Sequence, residues 1–134
     1  MINWNDPKSK VSRHFTVKDV TKGDPKRIPQ GLKNRRNAKK LARRLDDVVD
    51  EWGKLVINSW NRDSVSNARV GGAPNSQHLY GGAADIKLAR ATATKQLNFE
   101  REMDRTWKGG VGRGIKSGKG FTHLDVGPNR RWDY

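Results

Sequence analysis

Apolar residues recur every three or four positions between residues 38 and 56. Ala38, Leu41, Ala42, Leu45, Val48, Val49, Trp52, Leu55 and Val56 follow the spacing of one helical face. The pattern predicts a helix from about Asn34 that breaks at Gly53, with a strand opening at Leu55-Val56-Ile57. A second helical pattern covers residues 92–107, where Phe99, Met103 and Trp107 stack at i, i+4 and i+8. Thr92 or Thr94 is its expected cap, and Gly109-Gly110 stops it. Residues 83–88, 111–112 and 121–126 read as short strands, the last two joined by a glycine-rich turn over 116–120. Residues 1–33, with three prolines, read as irregular, and residues 58–77, rich in Asn and Ser, as a long functional loop. The sum is a small α+β fold: one domain over residues 1–134, a short and mostly antiparallel sheet, and helices packed on one face. Residues 1–11 are expected to form an irregular N-terminal segment.

Composition narrows the class. At 134 residues, with 33% hydrophobic content, the core must be lean. No cysteine is present, so disulfides and thiolate ligands are excluded. No apolar run approaches a membrane span, and residues 1–7 lack the apolar core of a signal peptide. If the target lies outside the cytoplasm, release by a holin or by lysis is expected. The formal charge is +14, and residues 26–44 carry nine Lys or Arg with no acid. Such a field attracts polyanions, among them anionic cell-envelope polymers. It is also compatible with a merely solvated helix face. Nucleic acid is disfavoured because aromatics are not interleaved with the basic run.

Chemistry concentrates in two glycine-framed segments. The first, Asn75-Ser76-Gln77-His78-Leu79-Tyr80-Gly81-Gly82-Ala83-Ala84-Asp85, places a histidine and an aspartate seven apart across a Gly-Gly pair. The second, Gly120-Phe121-Thr122-His123-Leu124-Asp125-Val126-Gly127-Pro128, supplies another histidine. Two imidazoles and one carboxylate suffice for a catalytic zinc with an open fourth position. Strand alternation puts Phe121, His123 and Asp125 on one face and Thr122, Leu124 and Val126 on the other. His14 stands outside both segments.

The spacing Ser76-x-His78-x-x-Gly81-x-Ala83-x-Asp85 resembles the signature of the zinc D-alanyl-D-alanine carboxypeptidases. That family includes murein endopeptidases and phage endolysins and shares a metal-site fold with the hedgehog signalling domain. Ser12-Arg13-His14-Phe15-Thr16 looks like its N-terminal start, and Ser59-Trp60-Asn61-Arg62 resembles its Ser-Gly-Tyr-Arg segment. With Gly109–Gly112, residues 121–128 and Arg130-Arg131-Trp132, the likeness spans roughly residues 12–132.

The resemblance implies one zinc per chain, held by His78, Asp85 and His123, in a monomeric enzyme that cleaves peptidoglycan stems or cross-links beside a D-amino acid. It implies Arg62 as a catalytic and substrate-binding residue, for a carboxylate or the oxyanion. Ser76 and Gln77, which directly precede His78, are expected to bind substrate and to hydrogen-bond around that first ligand. The family often carries an acid three residues before its last histidine; here Gly120 stands there. Asp125 is the nearest replacement as general base. A second reading makes Asp125 a ligand and His123 the acid or base. Two rival functions stay open. One is a polyanion- or nucleic-acid-binding module with a non-catalytic zinc site; the other is a zinc protein that recognises peptidoglycan without cleaving it.

Overall fold

The computed structural model describes residues 1–134. In chain order it contains α1 (Val17–Thr21), a 3₁₀ turn (Pro25–Arg27), α2 (Gly31–Trp52), β1 (Leu55–Ser59), α3 (Ser64–Arg69) and a second 3₁₀ turn (Gln77–Tyr80). β2 (Ala83–Leu88), α4 (Ala93–Thr106), β3 (Gly110–Arg113), β4 (Thr122–Asp125) and β5 (Arg130–Asp133) complete it. The five strands form one sheet in the order β1-β2-β4-β3-β5. Only the β3–β5 pair is parallel. The sheet is therefore mixed, and β5 was not foreseen as a strand. Its half-exposed, charged residues carry no apolar alternation, as suits an edge strand.

The apolar face of α2 is buried as its periodicity requires, with Ala38, Leu41, Ala42 and Leu45 fully covered. It joins Phe99 and Met103 of α4 and Ala84, Ile86, Val111 and Leu124 of the sheet in one core cluster. The solvent side of α2 carries Lys33, Arg36, Lys40 and Arg43, all exposed at spacings of three and four. Gly53, at φ 91°, ends the helix. Thr92 caps α4 by accepting from the Lys95 amide at 3.1 Å.

Residues 1–33 are more ordered than expected, because α2 supplies their missing partners. Buried Asp46 accepts from Ser12 Oγ at 2.8 Å and from the amides of Arg13 and His14 at 3.2 and 3.0 Å. The expected loop after β1 likewise contains α3, whose first turn is capped when Asp63 accepts from the Ser66 amide at 2.9 Å.

Two local devices position the face of the sheet opposite the helices. A bulge between Ile57 and Ser59 changes the side-chain phase of β1. Ile57 stays in the core while Ser59 pairs with Asp85 on the other face. Glu100 of α4, 1% exposed, accepts from the amides of Ile115 and Lys116 and from Thr122 Oγ at 2.7–2.9 Å. It thereby fastens the 114–120 turn to the start of β4.

Asp50 forms an exposed clamp on the N-terminal segment, accepting from Arg13 at 2.7 and 3.2 Å and pairing with His14 Nε2 at 2.9 Å. The Arg13 and His14 hydrogen bonds lower its carboxyl from 3.8 to about 2. A folded-state value below the unfolded one stabilises the fold above pH 3.8, and that stabilisation is lost as pH falls toward 2. Asp50→Asn should therefore melt below wild type at neutral pH, with the gap closing as pH falls toward 2. Thermal melts across that range check this, and a gap independent of pH would refute it.

Candidate metal centre

One row of paired residues crosses the whole sheet: Ser59 beside Asp85, Asp85 beside His123, His123 beside Gly112, and Gly112 beside Trp132. Side chains of one row share a face. Strand register alone therefore brings Asp85 against His123. His78 arrives from the 3₁₀ turn before β2, whose first amide pair is capped when Ser76 Oγ accepts from the His78 amide at 3.2 Å. That turn is closed by Gly81 at φ 77°, where a side chain would also strike the Asn34 carbonyl of α2. The first glycine of the Gly-Gly pair thus seats the ligand-bearing turn on the long helix.

The three expected ligands converge, and all are nearly buried: His78 is 2% exposed, Asp85 6% and His123 6%. Their ligand atoms lie within 4.8 Å of one another. His78 Nδ1–H donates to the Trp60 carbonyl at 2.6 Å, which leaves the Nε2 lone pair facing Asp85 Oδ1 at 3.2 Å. His123 Nε2–H donates to Asp125 Oδ2 at 2.7 Å, which leaves Nδ1 facing the same Asp85 oxygen at 3.0 Å. With both tautomers fixed this way, two imidazole lone pairs and a carboxylate oxygen point at one another with no hydrogen between them. A cation resolves that arrangement, and this donor set suits zinc. Zn–N and Zn–O distances near 2.0–2.2 Å are compatible with the 3.2 and 3.0 Å that separate each nitrogen from the Asp85 oxygen.

Electrostatics agree. Burial raises the Asp85 carboxyl, but His123 and His78, when a proton rather than a metal ion lies between them and the carboxylate, outweigh burial and hold the group far below the ordinary range. Burial lowers the His123 imidazole, yet Asp125 and Asp85 outweigh that and raise it. The pocket therefore attracts positive charge, as a proton or as a metal ion.

Asp125 does share a face with His123, but it stands behind the ring. It is 0% exposed. Its Oδ2 accepts from His123 Nε2, and its Oδ1 accepts from the amides of Gly110 and Gly127, both at 2.9 Å. A side chain at Gly110 would overlap this carboxylate, so β3 must present glycine there. Arg62 is also drawn in. Its Nη2 donates to Asp85 Oδ2 at 3.1 Å, its Nε to Ser59 Oγ at 3.1 Å and its Nη1 to Asn67 Oδ1 at 3.4 Å. Burial lowers the guanidinium's affinity for its proton, against the pull of Asp85.

The cluster opens into a cleft of about 660 Å³. One wall is the 70–77 stretch with Ser76 and Gln77; the other is Phe121, Arg130, Trp132 and Tyr134. Trp60 and Trp107 are buried, whereas Trp132 lies over His123 with ring centroids 4.9 Å apart. His14 sits away from the site, on Asp50. Sequence reasoning missed the Trp60 carbonyl, Gly110, Gly112, Tyr134 and Arg130. The Gly-x-Gly of β3 and the period-two run Arg130, Trp132, Tyr134 were the available signals.

Replacing any one of His78, Asp85 or His123 with Ala should empty the site, whereas Asp125→Asn should retain metal with about 10–100-fold weaker affinity. Retention in wild type should weaken as pH falls, because protons compete for the imidazole lone pairs. Elemental analysis and chelator competition measure this; full zinc occupancy in His78→Ala or His123→Ala would overturn the ligand set.

These residues fall within a recognised family pattern. A family model described as Peptidase M15 matches residues 13–125, from the N-terminal clamp through Asp125. No curated protein matches the chain. The match covers most of the 134 residues and includes every member of the His-Asp-His cluster. The chain belongs to the peptidase M15 family of zinc metallopeptidases.

Proposed function

We propose that the chain hydrolyses the peptide stems or cross-links of bacterial peptidoglycan next to a D-amino acid, in the manner of a small endolysin or wall-remodelling enzyme. The carrying observation is the His78–Asp85–His123 cluster at the floor of an open cleft, within a fold of peptidase M15 membership. Zinc bound there would polarise a scissile carbonyl and acidify a bound water, so no covalent enzyme intermediate is needed.

The chain's own residues divide the remaining work. Trp60 and Asp125 fix the tautomers of the two histidines and so aim their lone pairs. Asp125 is a positioning residue in this reading: both of its oxygens are occupied and it is sealed from solvent, which disfavours it as the base. Nor does its placement favour the reading in which it ligates the ion, because His123 stands between. Arg62 braces Asp85 Oδ2 and keeps spare N–H groups beside the cleft for a developing oxyanion. Ser76 shapes the turn that carries His78, and Gln77 lines the entrance.

The exposed cations of α2 would hold the enzyme on anionic envelope polymers. No helix of the chain is long and apolar enough to cross a membrane. Release by a holin or by lysis is the route proposed for reaching the wall.

Purified peptidoglycan incubated with the zinc-loaded protein should release fragments whose new termini, read by mass spectrometry, lie beside a D-amino acid. A chelator should abolish the release. Binding without new termini would favour the recognition-only reading. Charge reversal at Arg36, Lys39, Lys40 and Arg43 should weaken retention on isolated walls, as should added salt. Cleavage of a small soluble peptide should stay near wild type. Collapse of that cleavage in a folded variant would place the stripe on the substrate path instead.

A further inference from the structure

The cleft contains two guanidinium groups in different states. Arg62 is anchored, with Ser59, Asn67 and Asp85 each accepting from one of its nitrogens and a side chain only 13% exposed. It cannot swing to a ligand without uncovering Asp85. Arg130 makes no side-chain hydrogen bond within the protein. Its guanidinium lies over the Trp132 ring at 5.1 Å and stands 3.7 Å from Asp125 Oδ2, beyond hydrogen-bond distance, with the side chain 57% exposed. Edge strand β5 fixes its root, since Arg130 pairs with Gly110, and Gly110 in turn donates to Asp125. The group is thus oriented by a ring face and a neighbouring charge, while its fork of donors stays free at the cleft wall.

Charge selects the kind of ligand. Among the cleft residues, Asp85 and Asp125 are cancelled by Arg62 and Arg130. A divalent ion between neutral imidazoles leaves the cleft doubly positive, which favours an anionic substrate end. Reach selects the position. Only the His123 ring and the Asp125 carboxylate separate Arg130 from the metal-facing atoms. The α-carboxylate of the residue after a scissile carbonyl lies one residue further on, about 3.5 Å along an extended chain.

We propose that Arg130 is a specificity residue that binds the free α-carboxylate of the amino acid released on the C-terminal side of the scissile bond. The inference rests on the peptidase reading above and adds to it a preference for substrates that end one residue past the cut. In the hydrolysis, the oxygen of one water joins the carbonyl carbon and the C–N bond breaks. The leaving amine takes up a proton and departs with the carboxylate that Arg130 held. A guanidinium fork matches a planar carboxylate with two parallel hydrogen bonds, and Trp132 offers an apolar floor beside it. Arg130 lies beyond the residues matched by the family model.

The test compares an N-acylated peptide ending in D-Ala-D-Ala with its C-terminal amide, for wild type, Arg130→Gln and Arg130→Lys, all zinc-loaded. Wild type should prefer the free acid. Arg130→Gln should lose that preference mainly through a KM about 10–100-fold higher for the acid, and Arg130→Lys should keep part of it. Zinc content is measured in each variant, so that disturbance of Asp125 is detected separately. An acid-to-amide ratio unchanged in Arg130→Gln, or an equal loss of kcat on both peptides, overturns the assignment. So does a wild type that cuts internal stem bonds in peptidoglycan without favouring the acid, although the peptidase reading then survives. Wild type that cuts neither peptide nor peptidoglycan refutes that reading, and the role of Arg130 falls with it.

Discussion

A single carboxylate oxygen, Asp85 Oδ1, faces two imidazole nitrogens at 3.0 and 3.2 Å, and the site depends on keeping those three atoms together. Gathering buried acceptors is unfavourable by itself, at about 1–3 kcal/mol for each unsatisfied group. The surroundings must therefore enforce it from behind. The Trp60 carbonyl and Asp125 each take the proton of one ring, and Arg62 takes the other oxygen of Asp85. Each of these partners is itself anchored: Asp125 by two backbone amides, Arg62 by Ser59 and Asn67. The rigidity of the centre is thus borrowed from the sheet and from the anchored segments that follow β1 and precede β2.

The sheet can provide that rigidity because its two faces are divided. One face, with Ala84, Ile86, Leu124 and Val111, closes on α2 and α4 and forms the core. The other carries the row from Ser59 to Trp132. A lean core suffices because the division is clean. The bulge in β1 is the place where it would otherwise fail, since without the bulge Ser59 would not face Asp85. Glycines in β3 serve the same division, leaving room for the Asp125 carboxylate at Gly110 and for Trp132 and Tyr134 at Gly112.

Charge is distributed with comparable economy. Acids are engaged in internal work: Asp46 and Asp50 clamp the N-terminal segment, Glu100 fastens the turn before β4, and Asp85 and Asp125 build the centre. Most of the positive excess is therefore left at the surface, the basic first half of α2 included. A basic exterior and an interior built around the Asp85 and Asp125 carboxylates arise from one allocation of acids.

The sequence by itself determined the elements whose patterning is strong and local. The amphipathic periodicity of α2, the capped α4, the run that became β2 and the alternation that put His123 and Asp125 on one face were all legible, because each depends on neighbours within a few residues. That His78, Asp85 and His123 belong together was legible too, through the family resemblance that their glycine framing and spacing carry. Tertiary structure decided what depends on distant partners. β5 exists because β3 offers it a ladder, and the N-terminal segment is ordered because Asp46 and Asp50 receive it. Asp125 looked free to act as a base when only its strand was considered. Folding surrounds it with His123, Gly110 and Gly127, and a carboxylate's chemistry is set by which of its lone pairs remain unclaimed.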